Sequence, residues 1–306
     1  MDIYEKYKKL EDLPVKTIVK EPESMAKARG VIQFVHGMCE HKNRYYQMAD
    51  YFCKQGFVCV LSDLRGHGEN VEYLKDLGYF GENGADLLVE DVHGINAFIH
   101  NNYPDLKVIL VAHSLGSIIS RAYLKKYDLD VDVVFFSGAP SDSLGKYPGL
   151  LLAEIFSIIF DEKDNSKIID RMFYKRLEKK FEQEGKNSWI CSDKDVVEKY
   201  NDDESCQFTF TINGYNALFR LMCRIYSTKK WAVKNDQLPI YFVVGSEDVC
   251  VGSEELLKKQ AMLLKKVGYK NVTYKIFEGM RHEVFNETNH EKVWEYMLKK
   301  LEAELI

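Results

Sequence analysis

Several features that would place this 306-residue chain in a particular class are missing from it. Its seven cysteines are odd in number and form no C-x-x-C pair, which favours reduced thiols over a disulfide framework. The 47 acidic residues outnumber the 42 basic ones, so the chain has no excess of positive charge for binding nucleic acid. No apolar run reaches the roughly 18–20 residues that a membrane span requires. The disulfide-rich, nucleic-acid-binding and membrane-spanning classes are therefore disfavoured.

The N-terminal stretch MDIYEKYKKLEDLP also lacks the apolar segment of a secretory leader, so we expect a cytoplasmic protein. No internal repeat or low-complexity segment is visible, and the sequence gives no indication of oligomeric state. A composition of 46% hydrophobic and 29% charged residues is typical of a soluble globular protein.

Short apolar runs alternate along the chain with longer segments of helical periodicity. Most of the runs are apolar at every position, as expected for strands that are buried on both faces of a parallel sheet. They lie at 14–20, 31–36, 57–62, 107–113, 131–138, 239–245 and 272–277. Helices are predicted around 43–55, 84–102, 114–127, 253–267 and 287–304. This alternation predicts an α/β fold with a mostly parallel sheet between helices, and an antiparallel N-terminal edge.

The interval 140–232 breaks this rhythm, because it contains helical patterns but no convincing buried strand. The patterns lie at 149–160, 166–184, 193–201 and 213–229. The interval is too long for a simple crossover between adjacent strands. We predict that it forms a helical cap inserted into a core made of residues 1–139 and 233–306.

The stretch VAHSLGS, 111–117, places Ser114 between an apolar strand and a helix. It resembles the G-x-S-x-G nucleophile elbow, in which a sharp turn lifts the serine hydroxyl above the sheet. Residues two before and two after the serine must be small, and Ala112 and Gly116 both are. A serine that only caps the helix is the alternative.

A serine hydroxyl needs a base and an orienting carboxylate to act as a nucleophile at neutral pH. In α/β hydrolases the order along the chain is serine, acid, histidine. Asp248 follows the strand 239–245, and His282 follows the strand 272–277. The carboxyl ends of parallel strands meet at one edge of a sheet, where Ser114 would also lie. The sequence therefore predicts a Ser114–His282–Asp248 triad.

Each partner of the serine has a rival. Glu247 is adjacent to Asp248, and Asp142 follows the strand 131–138, where some hydrolases carry their acid. His290 is the other histidine after Asp248, but we interpret it as a solvated residue at the start of the last helix. Asp248 and His282 are preferred on position.

An acyl intermediate also requires backbone amides that bind the oxyanion. The amide of Leu115, directly after the nucleophile, is one predicted donor. The second is the amide of Met38, because Gly37 after the strand 31–36 allows close backbone approach. A metal site at His36, Cys39 and His41 is a weaker alternative, since their spacing does not match known ligand sets.

Five segments together resemble the monoacylglycerol lipase and lysophospholipase branch of the α/β hydrolases, which is related to S33-type hydrolases. They are HGMCEHKNRYYQMADYF, SDLRGHGEN, AHSLGS, VVGSEDVCVG and EGMRHEVFNE, and the resemblance runs over residues 31–290. It implies an α/β-hydrolase core with a helical cap and no metal or organic cofactor. It also implies Ser114, Asp248 and His282 as the triad, with Met38 and Leu115 as oxyanion donors. Ala112 and Ser117 depart from the usual glycines, but both are small.

The apolar stretch GLLLAEIFSIIF, 149–160, bears on the substrate. One interpretation is a purely structural helix that packs between the cap and the core. Alternatively, it lines an acyl-chain site through Leu152 and Phe156 or contacts a lipid surface transiently. We expect a serine carboxylester hydrolase acting on monoacylglycerols or lysophospholipids.

The sequence leaves two other kinds of function open, a different hydrolase activity and a function without catalysis. One is a short-chain or aromatic esterase, or a peptidase that would need cap carboxylates such as Glu154, Asp161 and Glu162 to hold a substrate amine. The other is a non-catalytic binding protein on the same fold, which is disfavoured because such proteins usually lose a triad member and none is lost here.

Overall fold

An eight-stranded sheet lies at the centre of this computed structural model, which describes residues 7–10 and 12–305. The strands are β1 Lys8–Leu10, β2 Thr17–Lys20, β3 Gly30–Val35, β4 Phe57–Ser62, β5 Val108–His113, β6 Val133–Ser137, β7 Ile240–Gly245 and β8 Val272–Phe277. Their spatial order is β1-β2-β4-β3-β5-β6-β7-β8. From β4 to β8 every neighbouring pair is parallel, and β1 and β2 form an antiparallel edge. The predicted mostly parallel sheet is confirmed.

The N-terminal edge differs in detail from the sequence prediction. The strand predicted at 14–20 begins at Thr17, and a proline such as Pro14 lacks the N–H needed for a ladder hydrogen bond. β1 was not predicted, because its sequence KKL is short, charged and largely exposed. The N-terminal stretch in which the sequence shows no apolar leader segment falls partly outside the described residues, because residues 1–6 and 11 are not described.

Helices cover both faces of the sheet. They are α1 Tyr46–Lys54, α2 Gly84–Asn102, α3 Leu115–Tyr127, α8 Glu254–Val267 and α9 Glu291–Glu304. Side chains of β3 alternate between the two faces: Val31 and Val35 pack with α2, α3 and α8, whereas Ile32 and Phe34 pack with α1 and α9. No helix in the described part of the chain combines the length and apolarity needed to cross a bilayer.

Four further helices lie between β6 and β7, inside the interval for which the sequence predicts a cap. They are α4 Lys146–Ile159, α5 Lys167–Glu178, α6 Lys194–Asp202 and α7 Ile212–Ile225. A small apolar cluster that includes Leu177, Trp189 and Tyr200 is local to this interval. α4 packs closely on α7 at Gly149, where a Cβ atom would lie 2.6 Å from the Phe219 ring. We refer to these four helices and the segments that connect them as the cap.

The parallel strands direct their carboxyl ends to one edge of the sheet. The loops after β3, β5, β7 and β8 carry Met38, Ser114, Asp248 and His282 respectively. The predicted site residues therefore lie at a single edge, below the cap.

Candidate active site

Ser114 lies in a sharp turn between β5 and α3. Its φ of 49° and ψ of −115° form a strained backbone conformation that is uncommon outside glycine. The Ser114 N–H donates to the Ser137 carbonyl at 2.9 Å, and the Ser117 hydroxyl donates to the Ser114 carbonyl at 2.6 Å. These bonds hold the turn through the backbone and leave the Ser114 hydroxyl available.

The turn explains why small residues flank the serine. A Cβ atom at Gly116 would lie 2.2 Å from the Val35 carbonyl oxygen, so no larger residue fits there. Ala112 is fully buried within β5, where its methyl group is accommodated. The departure from the usual glycine thus falls at the position that tolerates it.

The Ser114 side chain makes no capping hydrogen bond to α3. Instead, its Oγ lies 2.9 Å from Nε2 of His282. The His282 Nδ1 atom lies 3.0 and 3.1 Å from the two carboxylate oxygens of Asp248. Hydroxyl, imidazole and carboxylate therefore form one continuous line of hydrogen bonds, which is the arrangement of a Ser-His-Asp triad.

Asp248 is held in place by its own loop. Its Oδ1 accepts the N–H groups of Cys250 at 2.8 Å and Val251 at 3.3 Å. Burial alone would raise the pKa of Asp248, but His282 and these amides outweigh burial and lower that pKa. Burial alone would lower the pKa of His282, but the Asp248 carboxylate raises that pKa well above 6.5. The ionised carboxylate thus stabilises the imidazolium that forms when Ser114 loses its proton.

The rival residues lie in different surroundings. The Asp142 side chain is 51% exposed and forms an ion pair with Lys146. The Glu247 carbonyl accepts a hydrogen bond from Lys180, so its backbone rather than its carboxylate is engaged. His290 is partly buried against Trp294, with ring centroids 4.2 Å apart, rather than fully solvated as expected from the sequence.

Met38 and Leu115 line the cavity described below, together with Ser114. Among the described residues, neither the Met38 amide nor the Leu115 amide donates a hydrogen bond to a backbone carbonyl. Gly37 packs tightly in this loop, since a Cβ atom there would lie 3.1 Å from the Ser114 Cβ. One amide in this loop and one at the start of α3 therefore have no backbone carbonyl partner among the described residues, and an oxyanion hole at these two amides stays a prediction.

Two buried histidines hold these loops in place through local hydrogen bonds. His36 accepts the Leu64 N–H at its Nε2, at 2.8 Å, and its Nδ1 lies 2.9 Å from the Gly37 carbonyl. His113 Nδ1 lies 3.2 Å from the Ser137 hydroxyl. Burial lowers the pKa of His36 well below 6.5 and, together with the nearby His282, that of His113 to about 3. Both rings are therefore neutral near pH 7.

A cavity of about 480 Å³ lies between the cap and the sheet edge, with Ser114 in its wall. Leu152 lines it, as predicted. Phe156, one turn further along α4, packs against Phe160 at 5.4 Å between ring centroids and does not line the cavity in the described structure. A substrate contact at Phe156 stays a prediction. The other apolar residues lining the cavity include Ile118, Pro148, Leu218, Phe219 and Met222.

The cap carboxylates considered for a peptidase point to other partners. Glu154 accepts a hydrogen bond from Arg220 at 2.6 Å, and Glu162 accepts one from the Tyr79 hydroxyl at 2.9 Å. Asp161 accepts the Lys163 N–H at 2.9 Å. In the described structure none of the three carboxylates lines the cavity.

Three contacts around the triad were not predicted from the sequence. Trp189 of the cap lies against the His282 ring, with centroids 5.1 Å apart. Cys250 lines the cavity next to His282. Arg44 bridges two buried carboxylates, those of Glu40 and Glu283. Glu40 and Arg44 lie in the segment HGMCEHKNRYY, directly after the predicted oxyanion loop. This position is the sequence feature that could have indicated a role near the site.

Among residues 7–10 and 12–305, two groups of side chains have atoms that could ligate a metal ion and lie within 4.8 Å of one another: His41, Asp203 and Cys206 form the first, and Asp248, Cys250 and His282 the second. In the first group His41 is already bonded to Asp203 at 2.7 Å. The second group contains the triad pair. His36, Cys39 and His41, considered together from the sequence, have separate partners: Leu64, Phe208 and Asp203.

The chain is similar in sequence and in structure to several known proteins. A family model described as serine aminopeptidase, S33, matches residues 26–289. A monoacylglycerol lipase of Mycolicibacterium smegmatis is 24% identical over 268 residues, which cover 87% of this chain and 85% of that protein. A thermostable carboxyl esterase of Bacillus coagulans, solved with glycerol, superposes with a TM-score of 0.89 at 24% identity over 98% of both chains. A monoglyceride lipase of Saccharomyces cerevisiae superposes with a TM-score of 0.74 at 16% identity, over 98% of this chain and 96% of that one. The likeness of the structures shows the fold.

Proposed function

Since the chain belongs to the serine aminopeptidase S33 family and is a serine hydrolase, we propose that it hydrolyses esters of single-chain lipids, monoacylglycerols or lysophospholipids. The observation that carries the proposal is the hydrogen-bonded line Ser114–His282–Asp248 opening into an apolar cavity. The likeness to a mycobacterial monoacylglycerol lipase supports the same substrate class.

In the proposed mechanism, His282 Nε2 removes the proton of the Ser114 hydroxyl as Oγ attacks the ester carbonyl carbon. The carbonyl π electrons move to the oxygen, and the resulting oxyanion accepts hydrogen bonds from the backbone N–H groups of Met38 and Leu115. Collapse of the tetrahedral intermediate breaks the C–O bond, and His282 gives its proton to the departing alcohol. A water molecule, deprotonated by His282, then attacks the acyl-enzyme and releases the fatty acid.

The cavity favours a lipid ester over a peptide. Its volume is in the range of small-molecule sites, and most of its lining surface is apolar. Its carboxylates are engaged, Asp142 by Lys146 and the pair Glu40 and Glu283 by Arg44. An aminopeptidase needs a free carboxylate to hold the substrate ammonium group, and this cavity offers none among the described residues. The family's name therefore does not decide the activity.

The proposal is tested by labelling and by a substrate panel. A fluorophosphonate should label the wild-type protein once, at Ser114, which separates an enzyme from a binding protein of the same fold. Hydrolysis of lauroyl and oleoyl monoacylglycerols or lysophospholipids should exceed hydrolysis of acetyl esters. Highest activity on acetyl esters or on aminoacyl arylamides would refute the lipid proposal.

Replacing Leu152 by aspartate should flatten the dependence of kcat/KM on acyl-chain length. In the wild type, kcat/KM should rise tens-fold from acetyl to pentanoyl esters, because each of the three added methylenes contributes about 0.8 kcal/mol when it is buried. A carboxylate at Leu152 would make burial of the longer chains unfavourable while leaving the chemistry on acetyl esters nearly unchanged. The measurement uses nitrophenyl esters below their critical micelle concentration.

The matched control is the neighbouring Leu151, which is 59% exposed on the outer face of α4. Leu151→Asp should keep the wild-type chain-length dependence on these monomeric esters. If both variants flattened it equally, or neither did, Leu152 would not contact the acyl chain.

The outer face of the cap supports a transient contact with a lipid surface, which we propose as part of the function. Its large apolar side chains recur every three or four residues and are 42–86% exposed: Leu144, Tyr147, Leu151, Ile155 and Ile158. On α5 the exposed Lys167, Arg171 and Lys175 follow one another at intervals of four residues. None of these cations forms an ion pair within the described part of the chain. An exposed apolar stripe on α4 and exposed, unpaired cations on the next helix are features that suit an anionic bilayer.

The double variant Leu151→Asp/Ile158→Asp should lower activity on monoacylglycerol in anionic vesicles by about 10-fold or more, because two side chains can no longer enter the bilayer. Its activity on monomeric esters should stay at the wild-type level. Met262→Asp is the control. Met262 is 66% exposed on α8, which lies outside the cap, so this variant should retain full vesicle activity. Equal vesicle activity of wild type and double variant would contradict the surface contact.

A further inference from the structure

A bridge of three charged side chains connects the oxyanion loop to the loop that carries the histidine. Arg44 donates to both carboxylate oxygens of Glu283, at 2.6 and 2.7 Å, and to Glu40 at 3.1 Å. Glu40 and Glu283 are 2% and 5% exposed. Arg44 lies 239 residues before Glu283 in the chain, so the bridge exists only because of the fold.

At one end of the bridge, Glu40 fixes the oxyanion loop. Its Oε1 accepts the Gly37 N–H, and the Tyr45 hydroxyl donates to the same oxygen at 2.8 Å. The Gly37 amide immediately precedes Met38, whose N–H is the proposed oxyanion donor. Rotation of this loop would turn the Met38 N–H away from the oxyanion, and the bond to Glu40 opposes that rotation.

At the other end, Glu283 directly follows the proposed base, His282. The Glu283 N–H donates to the Ile190 carbonyl of the cap at 2.7 Å, so both its backbone and its carboxylate are anchored. The Arg44 guanidinium also lies over the Tyr200 ring of α6, 5.0 Å from the centroid. Oxyanion loop, histidine loop and cap thus meet at one guanidinium.

The charges favour the Arg44–Glu283 half of the bridge more strongly than the Arg44–Glu40 half, because burial outweighs Arg44 at Glu40 and raises the pKa of that carboxyl. Burial alone would raise the pKa of Glu283, but the Arg44 guanidinium outweighs burial and lowers that pKa. Removing one member of a buried ion pair leaves the other charge uncompensated. A single guanidinium shared by two carboxylates therefore locks both loops to one point.

We propose that Glu40, Arg44 and Glu283 act as positioning residues that hold the oxyanion amides in register with His282. The inference rests on the proposed triad and oxyanion hole. None of the three side chains contacts the reacting atoms in this role. Their loss should weaken binding of the transition state while leaving binding of the ground-state substrate unchanged.

The test compares Glu40→Gln and Glu283→Gln, which keep shape but remove charge. We expect kcat on a butyrate ester to fall about 10- to 100-fold, with KM within about 2-fold, because small displacements of catalytic groups cost that much. The Ki of an alkyl boronic acid, which forms a tetrahedral adduct on the serine, should rise by a similar factor. The double variant should lose little more than the worse single variant, since the residues act as one unit.

Asp91→Asn is the matched control. It breaks another bidentate arginine–carboxylate pair, Arg65 to Asp91 at 2.8 and 3.0 Å, outside the cavity. This variant should lower Tm but leave kcat and the boronic acid Ki unchanged. Should the two glutamine variants fail to fold, Tyr45→Phe removes only the hydroxyl bonded to Glu40 and should still lower kcat several-fold at constant KM.

Three outcomes would overturn the inference. The first is wild-type kcat in the folded glutamine variants or in Tyr45→Phe. The second is a loss of kcat/KM in the glutamine variants that comes from a higher KM, or a fall in kcat of Asp91→Asn as large as the fall in the glutamine variants. The third is a wild-type protein that neither hydrolyses esters nor reacts with a fluorophosphonate, which would refute the proposed function itself.

Discussion

Replacing Ser114 by alanine is expected to lower kcat for ester hydrolysis by about 10⁶-fold, because no other group can take over the nucleophile of such a triad. The fold should survive, since the turn at Ser114 is held by backbone bonds to Ser137 and Ser117 rather than by the Ser114 hydroxyl. Steady-state rates measure kcat, the mass shift after fluorophosphonate treatment measures labelling of the serine, and thermal unfolding tests whether the fold survives.

Ser117→Ala serves as the control for this change. It removes a hydroxyl three residues away that donates to the Ser114 carbonyl but does not line the cavity in the described structure. We expect fluorophosphonate labelling to persist and kcat to stay within about 10-fold, as for loss of one hydrogen bond. Near-wild-type turnover by a folded Ser114→Ala protein would place the nucleophile elsewhere.

The sequence predicted the core well because the strands that form it are buried on both faces. The run 57–62 matches β4 at both ends, and all six of its residues are buried. The run 272–277 also matches β8 at both ends, although β8 is an edge strand in which only the first and last residues are buried. The membership implied by the five motifs is confirmed by the family match over residues 26–289. Element boundaries were less accurate where local signals conflict. The helix predicted to start at 149 begins at Lys146, because Pro148 is tolerated in a first helical turn.

What the sequence could not predict are contacts between distant segments. The partners Arg44 and Glu283, or Trp189 and His282, are brought together by packing of the cap against the sheet edge. Periodicity assigns a residue to a face but does not say which residue from another loop will face it. For the same reason, Leu152 and Phe156 were grouped on one helix, although the described structure places only Leu152 at the cavity.

Replacing Asp248 by asparagine is the second change for which we expect a large effect, a loss of about 10⁴-fold in kcat. The Asp248 carboxylate accepts a hydrogen bond from the Nδ1–H of His282, and this tautomer keeps Nε2 free to take the proton of Ser114. An asparagine can donate to Nδ1 and would then favour the tautomer with its proton on Nε2, facing the serine. Asp142→Asn should reduce kcat less than 10-fold, because Asp142 pairs with Lys146 at a half-exposed position.

The pH profile distinguishes this role from a loss of structure. His282 is active only when neutral, so kcat/KM falls as the pH drops through the pKa of His282 in the free enzyme. The Asp248 carboxylate raises that pKa well above 6.5, so the acidic limb of the wild type should lie above pH 6.5. In Asp248→Asn the carboxylate is gone while burial remains, and burial lowers the pKa of the imidazole. The acidic limb of the residual activity should therefore move to lower pH, whereas Asp142→Asn should leave it in place. A greater loss or a greater shift of the limb in Asp142→Asn would make Asp142 the orienting acid.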